Sequence, residues 1–576
     1  MSVATRTREQ RMRFLLEDRI KLATVSGIWT TKPSMIRFVD DNIPEIELIT
    51  SKSYQVLPNS GNREPIIVEI DVGNFGNAVG LKNPGMEKGY EELYEMLRRR
   101  DMRAHLNISL SANSIDDFKK LIEKFESIAD FLELNFSCPH AKKGFGSTIG
   151  SDAKIVAKYM KELRKKTKAI LIPKLTPNVD NIGEIAIAAV ENGADGIAAI
   201  NTVGPEVYIE PHTGKPLLYN PKGHKGGKSG EWIREIGLER VAEVRKAVGD
   251  GVPIIGMAGV TIGEDVRRMR DAGANVEGVG TVTGRVPFLL RPDYFSALKK
   301  DAGNETNLAG KFVSKKRLAE YKPYKIRGIE QRGDDLRIFK LKGEIEYKAS
   351  QFAFIWVPEV GEKPFSIVRN HPLTFVVKRR EYDPDKEKGL VTHALFELKE
   401  GDELMIRGPC GAEAPVSDKY NVYIVAGGTG IAVVPKLAKR AYDEGKNATV
   451  YYGITSPEQV VLEDEIRKYA DFVPITDNEV VARVLDVMNS DLNERNLSDS
   501  CFYNIGPVPF MKKAMEIQEK LGVEPKDIYS SIETNNMCGI GMCSECVCGD
   551  RLTCQDGTFF SLEYLKEHKI DISDFE

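Results

Sequence analysis

Long apolar runs are missing from this sequence: in 576 residues no uninterrupted stretch is long enough to span a bilayer. The N-terminal MSVATRTREQRMRFLLEDR carries basic charge without a following apolar core of secretory type. Together these absences give the expectation of a cytoplasmic protein. A surplus of one charge is missing too. With 81 Lys and Arg against 85 Asp and Glu, the formal charge of −4 supplies no field to recruit nucleic acid. Internal repeats and low-complexity tracts are absent, which excludes solenoids and disordered arrays. Cysteine is scarce, at eight residues, yet five of them crowd between Cys538 and Cys554. In a reduced compartment such crowding favours metal or cluster ligation over disulfides.

What is present is ordinary globular composition, 41% hydrophobic and 29% charged, in a chain too long for one core. From about residue 15 to 300, short β-rich apolar runs alternate with amphipathic stretches such as YEELYEMLRRR and SIDDFKKLIEKFESI. Eight runs stand out: IKLATV, EIELIT, AHLNISL, FLELN, AILIPK, GIAAIN, PIIGMA and VEGVGT. Eight βα units predict a (β/α)8 barrel, whose chemistry gathers at the C-terminal strand ends, with phosphate near the loops after strands 7 and 8. The unusual polar residues obey that rule. Lys52 follows strand 2, Asn135 and Cys138 follow strand 4, Lys174 closes strand 5, and Asn201-Thr202 close strand 6. Ala258-Gly259 and Gly280-Thr281 close strands 7 and 8, where backbone N–H groups can approach a phosphate without obstruction.

After about residue 302 the pattern changes. DAGNETNLAGKFVSKK is polar, and short alternating strands from YKIRGIEQRG to DELMIRG predict a small antiparallel β-barrel. YNVYIVAGGTGIAVVPKLAKRA then reads as strand, glycine turn and helix of a nucleotide-binding unit. The closing CGIGMCSECVCGDRLTC is too compact for an apolar core of its own, so a metal centre would stabilise it.

In LELNFSCPHAKKGFGSTIG a polar Asn ends an apolar strand. A flat ring bearing carbonyl and N–H groups could pair with Asn77, Asn135 and Asn201, since each amide offers a donor and an acceptor. Cys138 could remove a proton from a substrate carbon as hydride leaves toward a flavin. The competing reading is a buried structural cysteine.

NAVGLKNPG (77–85), ELNFSCP (133–139), KLTPN (174–178), INTV (200–203), GGKSG (226–230) and PIIGMAGV (253–260) together resemble the catalytic subunit of class 1B dihydroorotate dehydrogenases. The motifs cover the first half of the chain in that family's order. The resemblance implies Cys138 as catalytic base. It implies Lys52, Asn77, Val79, Gly80, Leu81, Asn135, His140, Asn201 and Thr202 around the pyrimidine. Lys174 would touch the FMN ring, and the FMN phosphate would rest on Ala258, Gly259, Gly280 and Thr281, with Ser26, Gly27 and Gly230 nearby. The family's usual SCPN is SCPH here, so His140 replaces an amide that binds orotate. Dihydropyrimidine dehydrogenase has a similar barrel domain that reads SCPH. GMAGV for GMGGV and a long insertion after Asn201 are further departures.

The second half resembles the electron-transfer subunit of the same enzymes, in the ferredoxin reductase superfamily. KPFSIV (363–368) is similar to its flavin motif RPxSI, with Lys363 in place of Arg and with Phe365 and Ser366 near the FAD. Lys meets a pyrophosphate as a point charge without Arg's fork. GPCG (408–411) and GGTGIAVVP (427–435) look like flavin and nicotinamide segments, implying Gly408, Gly411, Gly427, Gly428 and Gly430. NIGPVPFM (504–511) resembles the CGPxPM nicotinamide site and implies Gly506 and Pro507, although the preceding cysteine is absent. Cys501 lies nearby out of register and is expected to be structural. No basic cluster follows YYGITSPEQ, which favours NAD over NADP. Cys538, Cys543 and Cys546 have the C-x4-C-x2-C spacing of plant-type [2Fe-2S] ligation, and CQDGTFF resembles the segment carrying a fourth ligand, Cys554. Cys548 is an extra candidate, and a structural zinc site is the competing reading.

The resulting expectation is an FMN-binding barrel over 1–302, a linker over 303–317, an FAD-binding β-barrel over 318–417, an NAD-binding α/β domain over 418–530 and a [2Fe-2S] domain over 531–576. Its activity would be oxidation of dihydroorotate in pyrimidine biosynthesis, with electrons passing through FMN, the [2Fe-2S] cluster and FAD to NAD. An NADH-dependent reduction of uracil or thymine is the alternative, with His140 as the discriminating residue. An electron-transfer protein serving another partner is a third reading. Related barrels pair, so a homodimer is expected by resemblance.

Overall fold

The computed structural model describes residues 6–136, 149–383, 389–476 and 480–575. Two compact units emerge. One comprises Met1–Ala319 with Ile540–Glu545, and the other Glu320–Gly539 with Cys546–Glu576.

The first unit is built on a closed parallel barrel of eight strands, as the alternation of apolar runs predicts. In chain order they are Leu22–Thr24, Ile46–Thr50, His105–Leu110, Phe131–Asn135, Leu171–Lys174, Ile197–Ala199, Ile254–Met257 and Val276–Val279. Each lies within one of the eight apolar runs. Intervening helices bury one stripe: Ile115–Phe125 turns Phe118, Leu121, Ile122 and Phe125 inward, and the Ser114 hydroxyl caps it by accepting from Asp117 N. The helix Arg8–Leu16, closed by a Thr7/Gln10 capping box, contributes Phe14 and Leu15 to a cluster with barrel residues Ala23, Leu48, Phe131, Ile172, Ala198, Ile255 and Val276. Residues 303–317 pack on this unit: Asp301 accepts from Ala309 N at 2.7 Å, and Arg285 donates to Ser314 O.

A four-stranded antiparallel sheet lies outside the barrel, in the order Ile67–Asp71, Asn74–Asn77, Lys225–Gly230, Val203–Val207. It uses part of the insertion after Asn201. Glycine makes the pairing possible: at Gly230, φ is +108° and a Cβ would stand 2.2 Å from Gly73 O.

The second unit opens with a closed six-stranded antiparallel barrel running from Lys322–Arg332 to Glu403–Cys410, filled by Phe339, Phe375, Ile355, Leu373 and Ile406. A six-stranded sheet follows, ordered Asp471–Thr476, Asn447–Ile454, Asn421–Gly427, Ser500–Ile505, Ile528–Ser531, Phe559–Ser561. Its first five strands are parallel and the last is antiparallel. The cysteine-rich C-terminal stretch shares this sheet's core, because Cys548, Phe560, Leu562 and Leu565 pack with Tyr423, Phe502 and Ile528. No helix among the described residues is long and apolar enough to cross a membrane.

Candidate functional site

In a parallel barrel every strand ends on the same face, so side chains at the C-terminal ends converge. The second strand runs into buried Ser51, Lys52 and Ser53, the fourth ends on Asn135, and the fifth ends on Lys174. The Ser53 hydroxyl links them. It lies 3.2 Å from Ser26 Oγ and 2.9 Å from Ser109 Oγ, and it accepts from Asn135 Nδ2 at 3.1 Å. Ser109 donates onward to Glu133 Oε1 at 2.8 Å, and Lys174 Nζ stands 3.8 Å from the same oxygen. A carboxylate and an ammonium buried this deeply persist only with partners, and each has one here.

Lys52 meets a second carboxylate. Its Nζ is 3.1 Å from Glu545 Oε1, while Lys82 and Lys32 reach Glu545 Oε2 at 3.4 and 3.6 Å. Burial pushes the Lys52 ammonium below its ordinary pKa, opposed by Glu545. Burial also works against the Glu545 carboxylate, but the three lysines overcome it and hold its pKa down to about 2. The backbone leading to Glu545 is tied down by three hydrogen bonds. Trp29 N donates to Met542 O at 2.8 Å, Thr31 Oγ1 to Cys543 O at 2.8 Å, and Arg291 to Gly541 O at 2.8 Å.

The other expected pyrimidine contacts lie on loops. Asn77 ends its strand opposite Gly227 and donates to Gly227 O at 3.1 Å. Asn62 N holds Val79 O, Asn59 holds Gly80 O, and Gly80 and Leu81 take φ of +78° and +60°. Asn201 accepts from Thr202 N at 2.8 Å, and Thr202 O accepts from Asn178. Cys138 and His140 lie outside the described residues.

The expected phosphate contacts divide by what surrounds them. Gly27, at φ +81°, has no atom within 4 Å of where a Cβ would stand, whereas a Cβ on Gly280 would meet only Val25. A Cβ on Gly259 would come 2.8 Å from Gly230 O, so the loop after the seventh strand packs on the GGKSG run. Ala258 is buried, and Thr281 opens a helical turn in which Thr283 caps Gly280 O. Open backbone at Gly27, a hydroxyl at Ser26 and ammonium groups at Lys52 and Lys174 form a donor set that fits a phosphorylated ring with carbonyl acceptors.

Sequence comparison finds relatives for the barrel. The dihydroorotate dehydrogenase family profile matches residues 23–289, from the first barrel strand past the eighth. The catalytic subunit of dihydroorotate dehydrogenase B (NAD(+)) from Methanocaldococcus jannaschii is 39% identical over 236 residues, covering 40% of this chain and 74% of the relative. The corresponding subunits from Alkaliphilus oremlandii and Pyrococcus horikoshii are 39% and 38% identical, over 45% of this chain and 82% and 81% of theirs. The chain belongs to the dihydroorotate dehydrogenase family. The profile match ends at residue 289, so the second unit lies outside it. A solved structure titled for flavin-based electron bifurcation by an NADH-dependent reduced ferredoxin-NADP oxidoreductase matches 44% of this chain and 91% of its own. It does so at 24% identity and a TM-score of 0.38, too low to carry an argument.

In this dihydroorotate dehydrogenase family member the second unit brings several expected residues together. Lys363, Phe365 and Ser366 lie on the strand Gly361–Arg369, opposite Ile355, Ala353 and Phe352. Gly408 packs on Ala353 of the same strand pair, and Gly411 N donates to Cys554 O at 2.8 Å. Gly427 and Gly506 end adjacent parallel strands, at the point where the sheet order reverses direction, which is where ligands of open α/β sheets bind. A Cβ on Gly506 would stand 3.3 Å from Gly427, with Pro507 beside them. A Cβ on Gly430 would meet Ile505 O at 2.8 Å, while Gly428 faces open space.

Cys538, Cys543, Cys546, Cys548 and Cys554 are all buried, and Cys546 Sγ lies 3.3 Å from Cys554 Sγ. Thiols at that spacing suit a shared metal, but among the described residues no group of three or more His, Cys, Asp or Glu is arranged to hold an ion. Cys548 sits in the apolar core, where burial pushes its thiol up to about 12. Cys501 is likewise a core residue, pushed up to about 11. Sequence reading passed over Ser53, Ser109, Lys32, Lys82 and Glu545. Glu133 and Glu545 both lay inside quoted motifs, but nothing local signals that Glu545 meets Lys52, 493 residues away in sequence.

Proposed function

We propose that this chain oxidises dihydroorotate to orotate, as a cytoplasmic homodimer in pyrimidine biosynthesis, and delivers the electrons to NAD+. The observation that carries the reading is the buried Lys52–Ser53–Asn135–Lys174 constellation at the C-terminal mouth of a barrel that matches this family. When bound, FMN would supply the hydride acceptor, and a [2Fe-2S] cluster and FAD the route to NAD+.

The chain's own residues would do the rest. Lys52 meets the substrate carboxylate, while the amides of Asn77, Asn135 and Asn201 pair with ring N–H and C=O groups. Cys138 takes the proton from C5 as hydride leaves C6, so the ring loses both hydrogens and gains a double bond. Lys174, held by Glu133, would face the flavin ring. Ser26, Gly27, Gly230, Ala258, Gly259, Gly280 and Thr281 would hold the FMN phosphate. Lys363, Phe365, Ser366, Gly408 and Gly411 would hold FAD, and Gly427, Gly428, Gly430, Gly506 and Pro507 NAD. Cys538, Cys543, Cys546 and Cys554 would ligate the cluster.

A second reading is NADH-driven reduction of uracil or thymine. Two observations favour it: SCPH at 137–140, and a Lys52 already engaged by Glu545. The deciding experiment is anaerobic. Dihydroorotate, uracil or thymine is added to the purified protein with NAD+ or NADH, and flavin and nicotinamide absorbance are followed. Bleaching by dihydroorotate with NADH formation upholds the proposal, whereas NADH oxidation that needs uracil or thymine moves the chain to the second reading. Cys138→Ala should lower dihydroorotate turnover by about 10²–10⁴-fold with FMN retained. Undiminished turnover would remove Cys138 from the mechanism.

A further inference from the structure

Glu545 places a carboxylate on the cation that a dihydroorotate carboxylate would need. The side chains of Glu545 and Lys52 are each 8% exposed, so this is a built and largely dry contact. The geometry divides the two carboxylate oxygens. Oε1 faces Lys52 at 3.1 Å, while Oε2 is shared by Lys82 at 3.4 Å and Lys32 at 3.6 Å. Three ammonium groups therefore meet one carboxylate, and Lys52 is the only one of them that holds Oε1 in these ion pairs. Hydrogen bonds hold the backbone on both sides of Glu545, from Thr31 Oγ1 to Cys543 O at 2.8 Å and from Thr553 N to Cys546 O at 3.1 Å, and so leave the motion to its side chain. Its side chain can keep Lys82 and Lys32 through Oε2 while Oε1 releases Lys52.

We propose that Glu545 is a specificity-determining residue of the barrel site: it competes for Lys52 and yields it to a carboxylate-bearing pyrimidine. The inference rests on the reading that Lys52 contacts the pyrimidine. A ring with a carboxylate must compete with Glu545 for Lys52 and tolerate its charge nearby. A ring without one meets neither cost. Glu545 thus narrows the preference for orotate over uracil that Lys52 alone would give, and the lysines on Oε2 set how readily it yields.

The test is equilibrium dialysis of labelled orotate and labelled uracil against the full-length protein, purified with its cofactors. Glu545→Gln keeps the shape and removes the charge. It should tighten orotate on the order of tenfold and leave uracil within about twofold. Lys82→Met removes a holder of Oε2 and should weaken orotate roughly threefold while sparing uracil. Orotate binding that Glu545→Gln leaves unchanged or weakens overturns the inference, as does an equal shift for both ligands, the mark of a general structural effect. Failure of the underlying reading looks different: the unsubstituted protein and both variants then bind neither pyrimidine, and the inference falls with it.

Discussion

Arg407 shows how much can hang on a single buried side chain. Its guanidinium forks onto Glu362, with Nε to Oε2 at 3.0 Å and Nη2 to Oε1 at 2.6 Å, and its third nitrogen donates to Cys538 O at 2.9 Å. Tyr321 donates to Glu362 Oε2 at 2.6 Å, and the Phe354 ring lies 4.0 Å beneath the cation. The arrangement fixes the first cysteine of the cysteine-rich segment through its carbonyl. Arg407→Met leaves Glu362 buried without its cation and should cost about 3–5 kcal/mol, read from the urea midpoint of the second unit. Arg407→Lys should recover only part, because a point charge cannot keep both the fork and the carbonyl. A Met variant as stable as the parent would contradict this. Glu277, inside the first unit on the eighth barrel strand, is the converse case. Burial pushes its carboxyl up to about 7 from the ordinary 4.5, against opposing contacts with Lys21 N and Arg270. Between those two values the folded state holds a proton that the unfolded state has released, so stability falls as pH rises from about 4.5 to about 7 and levels off above. Glu277→Gln should remove a slope worth on the order of 3 kcal/mol across that window. Parallel stability–pH curves for the two proteins would refute it.

Elements differ in how much of their reason lies in their own residues. The eight barrel strands are short β-rich apolar runs, and every one was legible because a strand inside a barrel is buried along its length. The four outer strands were not. NFGN, VGPEV and KGGKSG have little strand propensity, and they pair because glycine lets two backbones approach. The same distinction separates the glycines of the site, which share a residue type but not a cause. Gly230→Ala combines φ of +108° with a Cβ 2.2 Å from Gly73 O, and should cost about 2–4 kcal/mol and lower the melting temperature of the first unit. Gly27→Ala meets no atom and should cost about 1 kcal/mol, yet it should reduce FMN retention on gel filtration if the flavin approaches there. Equal melting temperatures for the two variants would show that close packing at Gly230 is relieved elsewhere. Legibility of the site followed the same line. Lys52, Asn135 and Lys174 stand at strand ends whose position the alternation of runs dictates. Ser53 and Ser109 acquire their roles only when neighbouring strands are set side by side, and Glu545 only when residues 540–545 return to the first unit.

At the scale of the whole chain the question is whether two units with separate cores form one catalyst. The family match accounts for the first unit, and the second carries paired glycine turns at a sheet switch point together with the buried cysteines. If the units act in series, the half-reactions must be separable by loss of the carrier that passes electrons from one flavin to the other. Cys546 is the residue to change, because its Sγ is 3.3 Å from Cys554 Sγ; it directly follows Glu545, so flavin bleaching by dihydroorotate must be read beside it as the check that the barrel site is intact. A flavin exchanges one or two electrons while an iron–sulfur centre carries one, so loss of the centre should isolate the flavins from each other. Cys546→Ser should therefore lose most iron and acid-labile sulfide and abolish most dihydroorotate-dependent NADH formation. Bleaching of one flavin equivalent by dihydroorotate should persist, and so should bleaching of the other by NADH. If NADH formation continues at the parental rate without iron, the cysteines are structural and the units exchange electrons by another route. If dihydroorotate bleaches neither flavin in the parent protein, the serial arrangement fails at its first step, whatever the cysteines hold.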